Sequence, residues 1–152
     1  MTNLLAIDPG KMTGWSELSY TSNSYTLHST AELSVDEVWE VLVNGLDVPE
    51  GPHPDVIVIE DFKITTGTGK LGSPDWSLRL IGAVEYLGFK YDIPVVKQYP
   101  SNAKAFSTND KLRAVDMWHK GGAGHANDSL RHAMLYMVKH GWRDDRLLEA
   151  GQ

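Results

Sequence analysis

Apolar residues follow two rhythms along this chain, and the changes of rhythm mark its elements. Leu4–Ile7 is a short unbroken apolar run, closed by Asp8 and followed by Pro9-Gly10. A run of that length ending in turn residues predicts a buried strand. Thr13–Leu18 and Ser24–Thr30 are rich in β-branched and aromatic residues, with turn chemistry in Thr21-Ser22-Asn23-Ser24 between them. These three segments predict an antiparallel meander. At Ser34 the spacing becomes helical: Val35, Val38, Val41, Leu42 and Leu46 share one face. Ser34 with Glu37 three residues on is a capping-box pattern, so a helix is expected over 35–46.

Pro49, Gly51, Pro52 and Pro54 form a connector. Asp55–Asp61 is nearly continuous in apolar residues, as suits a strand covered on both faces. The Gly/Thr-rich stretch Thr65–Pro74 predicts a loop. A helix is expected over Ser77–Tyr91, a short strand over Pro94–Lys97, a helical turn from Pro100 to Lys104 and a helix over Asn109–His119. Gly121–Gly124 breaks the pattern before a last helix over His125–His140. The order β-β-β-α-β-α-β-α-α predicts an α/β chain with a mixed five-stranded sheet flanked by helices, one domain spanning 1–152.

Composition narrows the class. The chain has 152 residues, 41% hydrophobic, with no cysteine, which is enough for one core and excludes disulfide frameworks and thiolate metal sites. The longest apolar run, Ala133–Val138, is far short of a membrane span, so no membrane association is expected. No basic-then-apolar leader opens the chain, and a cytoplasmic location is expected. The net charge of −6 argues against broad nucleic-acid binding. The charge is polarised, however. Residues 1–60 carry one cation against ten acids, a net of −9, and residues 61–152 carry thirteen cations against ten acids, a net of +3.

Two acids end predicted strands that can lie side by side, Asp8 and Glu60. Either each meets water at its strand end, or the two meet each other and a divalent cation holds both ionised. His125 and Asp128 stand at i and i+3 in the first turn of the last helix and share a face. Alone, they are equally an ordinary first-turn acid and a surface histidine. Asp61 alternates to the opposite face from Glu60 and is expected to play a supporting part.

Leu5-Ala6-Ile7-Asp8-Pro9-Gly10, followed by Thr13-Gly14-Trp15, resembles the opening of the RuvC-type Holliday junction resolvases of the RNase H-like superfamily. Val58-Ile59-Glu60 resembles that family's second catalytic strand, and His125-Ala126-Asn127-Asp128-Ser129-Leu130 its last motif. The segment from Tyr99-Pro100 to Lys104, and Lys111 beyond it, match places where the family carries DNA-contacting lysines. The ordered set spans nearly the whole chain and is similar to short, phage-encoded members, which implies host cytoplasm as the location. His125 stands where many members carry an acid, and residues 62–76 match the long-known members of the family poorly.

The resemblance implies an RNase H-like fold and a nuclease that cuts four-way or other branched DNA as a homodimer. It implies Asp8, Glu60, His125 and Asp128 as catalytic residues and ligands of two Mg2+ ions, replaceable by Mn2+. Lys104 and Lys111 are the foremost implied DNA contacts, with Lys63, Lys70, Lys97, Arg113 and Lys120 as further cations. Phe62 is a candidate wedge at the junction centre, with core packing as its ordinary role. Other readings are an RNase H-fold nuclease for flap, three-way or RNA-containing substrates, and a non-catalytic DNA-binding module. A sugar-kinase or actin-like ATPase would need two copies of the fold.

Overall fold

The computed structural model describes residues 1–62 and 75–151. Five strands form one sheet in the order β3-β2-β1-β4-β5. They are β1 (Thr2–Asp8), β2 (Thr13–Tyr20), β3 (Tyr25–Leu33), β4 (Val56–Glu60) and β5 (Val95–Gln98). β1, β2 and β3 form the expected antiparallel meander, and β4 adds to β1 and β5 to β4, both in parallel. The mixed five-stranded sheet expected from the element order is thus present.

The two central strands read as continuous apolar runs because both faces of the sheet are covered. Alternation sends Leu4, Ala6, Val56 and Val58 into one core and Leu5, Ile7, Ile57 and Ile59 into the other. The first core is closed by α5 (His125–Lys139), through Leu130, Ala133, Met134 and Met137. The second is closed by α1 (Val35–Val41) and by α2 (Asp75–Tyr91), through Val38, Leu80, Ile81, Val84 and Leu87. Each fully buried aliphatic side chain contributes about 1.5–3 kcal/mol relative to exposure.

The first helix starts as expected. The Glu37 amide donates to Ser34 Oγ and the Ser34 amide to the Glu37 carboxylate, completing the capping box. It does not continue as an α-helix to residue 46. Residues Leu42–Leu46 form a wider π turn, closed by a 2.7 Å bond from the Asp47 amide to the Leu42 carbonyl. That wider turn keeps both Leu42 and Leu46 in the core.

After α3 (Pro100–Phe106), the helix expected over 109–119 is shorter: α4 covers Asn109–Ala114. Asp116 adopts φ 62 and the Met117 amide returns to the Leu112 carbonyl, a Schellman ending that buries Met117 against Leu112. The chain also does not finish at α5. A further helix, α6 (Asp145–Ala150), starts at an Asp144 cap and packs Leu147 on the first core. Among the described residues, no helix is long and apolar enough to cross a membrane.

Candidate active site

The parallel register of β1 on β4 pairs Ile7 with Ile59. The next position on each strand is a carboxylate, so Asp8 and Glu60 emerge side by side at the strands' C-terminal ends. The turn after Asp8 is tied down over it. Thr13 Oγ1 donates to the Gly10 carbonyl, Trp76 Nε1 to Thr13 Oγ1, and Ser77 Oγ to the Pro9 carbonyl. Asp8 is left only 4% exposed. Burial first, then the hydrogen bond and charge of Glu60 and the charge of Asp128, push its carboxyl up to about 10. Burial acts on Glu60 in the same direction, but hydrogen bonds with His132 and Asp8 outweigh it and hold Glu60 below the ordinary carboxylate value. In the absence of a cation the pair shares one proton, with Asp8 donating to the Glu60 carboxylate.

The first turn of α5 completes the cluster. His125 Nδ1 lies 3.4 Å from Asp8 Oδ2. Asp8, His125 and Asp128 each present a ligand atom, and these atoms lie within 4.8 Å of one another. Asp128 is steadied by Arg131, whose Nε donates to Asp128 Oδ1 at 3.2 Å while Nη1 donates to the Ser107 carbonyl at 2.6 Å. Ser129 locks the turn to the sheet through a 2.6 Å hydroxyl contact with Ser16 on β2. Three carboxylates and an imidazole, crowded and mostly shielded from water, form an oxygen-rich donor set for a hard divalent cation, because the carboxylates repel one another when ionised without one. The four residues singled out in the sequence therefore meet in one place.

His132 and Gln98, which were not singled out in the sequence, belong to the site. His132 is 1% exposed, with Nδ1 3.0 Å from Gln98 Oε1 and Nε2 3.6 Å from Glu60 Oε1. Gln98 is the β5 partner of Glu60, so a buried amide and imidazole stand behind the partly exposed carboxylate. The signal was present: His132 stands four residues after Asp128 and seven after His125, on the same helix face. Lys104 on α3 is exposed, and its charge favours the ionised forms of both Asp8 and Glu60.

Other candidates lie elsewhere. Lys111 is engaged locally, with its ammonium donating to the Phe106 carbonyl at 3.0 Å and sitting 4.2 Å above the Phe106 ring. Phe62 is half-buried and packs on the second core. Lys97 pairs with Glu85, and Arg113 pairs with Asp110 and lies over the Trp118 ring. Lys63 and Lys70 lie outside the described residues. Glu32, one of the ten acids of residues 1–60, reaches the start of α5 and accepts from the backbone amides of Ala123 and His125.

No protein-family model matches the sequence, and no curated protein matches it. Solved structures do. A Thermus thermophilus RuvC in complex with a Holliday junction substrate matches with a TM-score of 0.66 at 15% identity, over 93% of this chain and 97% of that one. The fowlpox virus Holliday junction resolvase matches with a TM-score of 0.58 at 18% identity, over 90% of this chain and 99% of that one. A complex of the fowlpox virus resolvase with its substrate Holliday junction DNA matches with a TM-score of 0.60 at 16% identity, over 90% and 99% of the two chains. The chain has the RNase H-like fold of these structures.

Proposed function

We propose that this chain is a metal-dependent, structure-selective endonuclease that cleaves Holliday junctions and related branched DNA by phosphodiester hydrolysis. The observation that carries the reading is the convergence of Asp8, Glu60, His125 and Asp128 at the C-terminal ends of β1 and β4. Its support is twofold. The fold is that of resolvases solved with junction DNA, and the four residues belong to the segments that resemble that family's motifs.

The donor set fits two Mg2+ ions, with Mn2+ able to replace them because the imidazole of His125 is among the donors. Asp8, central in the cluster, would contact both, with Glu60 on one side and His125 and Asp128 on the other. When bound, such cations activate water and stabilise the leaving oxygen of an in-line displacement.

The chain's own groups divide the remaining work. Asp8 must give up its shared proton, because the cation-bound site needs both carboxylates ionised. The His132–Gln98 pair orients the Glu60 carboxylate, and Arg131 orients Asp128. His125 holds an imidazole at the mouth of the site, able to take a proton from the attacking water. Lys104 supplies positive charge that acts on Asp8 and Glu60 and is proposed to meet the incoming phosphate. Lys63 and Lys70 are proposed as backbone contacts, and Phe62 and Lys111 as weaker candidates given where their side chains lie.

Two opposed strands must be cut, so two sites related by a two-fold axis are expected. The face proposed to pair is on α2, where Leu78, Tyr86 and Phe89 are 37%, 62% and 90% exposed at helical spacing. Phe89→Glu is expected to convert a dimer to a monomer in sedimentation velocity.

A cleavage panel tests the activity: four-way, three-way, flap and RNA-containing substrates, each with Mg2+. Preference for the four-way junction is expected. Equal cutting of all structures would remove the junction specificity, and cutting of none with Mg2+ or Mn2+ would remove the nuclease reading.

A further inference from the structure

We infer that Glu32 is a positioning residue, an N-cap delivered from a distant strand that fixes the start of α5 and with it His125 and Asp128. This rests on the nuclease reading and adds a residue to its machinery. The start of α5 lacks a cap of its own. Its N-cap is Gly124, at φ 95 with no side-chain hydrogen bond. A helix start leaves its first amides without intrahelical partners. The preceding loop is poorly specified by its own backbone, since Gly121, Gly122 and Gly124 all adopt positive φ, where glycine has many alternatives.

Glu32 meets this need from β3, about ninety residues earlier. Its Oε1 accepts from the Ala123 amide at 2.9 Å and the His125 amide at 2.9 Å, and Oε2 accepts from Ala123 at 3.1 Å. The Ala123 bond, opposed by slight burial and reinforced by bonds from His125 and Ala126, holds the carboxyl below its ordinary value. The negative charge also sits at the positive end of the helix. Gly122 packs against the carboxylate so closely that a Cβ there would stand 2.7 Å from Oε1. Glu32 touches none of the acids of the site. It sets the backbone at His125, whose ring must reach Asp8, and three residues further on the direction of Asp128.

The test compares Glu32→Ala and Glu32→Gln with the wild-type chain. Gln keeps the length and one carbonyl acceptor, and serves should the Ala variant fail to fold. Three readouts are needed: junction cleavage and binding, Mn2+ affinity without DNA, and amide exchange at residues 123–126. For Glu32→Ala, turnover and Mn2+ affinity are expected to fall about tenfold or more, with junction affinity within about twofold. Exchange at 123–126 should rise about tenfold while the strands stay protected. Glu32→Gln should fall between. Unchanged exchange and Mn2+ affinity would overturn the inference, as would activity lost only in step with global unfolding. Should the wild-type chain fail to cut junctions, the exchange and Mn2+ readouts still decide the role of Glu32 separately from the nuclease reading.

Discussion

Gly14 lies against the backbone of His125: a Cβ added at Gly14 would stand 1.9 Å from the His125 carbonyl oxygen and 3.2 Å from Ser129 Cβ. The Thr-Gly-Trp motif after the first strand is therefore a packing requirement. β2 and the first turn of α5 approach so closely that only a hydrogen fits between them. Gly14→Ala should push α5 off the sheet, destabilise the fold by about 1–3 kcal/mol and reduce cleavage more than stability accounts for. Thermal melts and single-turnover cleavage at a temperature where the variant stays folded check this.

Asp8→Asn separates binding from chemistry. Cleavage should fall to background while junction binding persists. An amide needs no proton to be buried, so metal-free stability at neutral pH should also rise by about 1 kcal/mol, or roughly 2–4 °C in Tm. Cleavage by this variant at the wild-type rate in Mg2+ would refute the metal-site assignment.

The raised carboxyl of Asp8 predicts a pH dependence with a definite sign. Between the ordinary carboxylate value and about 10, folded Asp8 keeps a proton that the unfolded chain has lost. Metal-free stability from this group is therefore full at low pH and is lost as pH rises through that window. Cation binding must displace the same proton, so apparent Mg2+ affinity should increase with pH over the same range. Denaturant titrations and calorimetry at about pH 5, 7 and 9 measure the two trends, which should oppose each other.

His132→Leu keeps the volume near that of the histidine and removes both polar contacts. It leaves Gln98 without its partner and Glu60 free to rotate, and should cost about 10–100-fold in turnover. A loss confined to junction affinity would place His132 outside the site.

Lys104 and Lys111 should part company. Lys104→Ala should lower junction cleavage and reduce the salt dependence of binding by about one phosphate contact. Lys111→Ala should leave junction affinity within about twofold and lower stability by about 0.5–1 kcal/mol, the contribution of a half-exposed cation over an aromatic ring. Salt titrations of binding, paired with melts, distinguish the two.

The order of the elements as far as α5 and the residues that carry the proposed chemistry were legible in the chain before any fold was known. They depend on local rules: apolar period, the Ser34–Glu37 capping box, and acids that end strands. The parallel register of β1 on β4 then makes neighbours of Asp8 and Glu60. What supports those residues emerged only from the assembled fold. Gln98, His132 and Glu32 act across long separations in the chain, and nothing local distinguishes a clamping glutamate from a solvated one. Glu32 is one of ten acids in the first sixty residues, and only the placement of β3 beside the orphan amides of α5 sets it apart. For Lys111 too the partner came from the fold, since its ammonium donates to the Phe106 carbonyl and lies over the Phe106 ring, contacts that the motif did not announce. Side-chain identity can be read from local pattern, but the partner that satisfies a buried amide or carboxylate is set by which strands and helices meet.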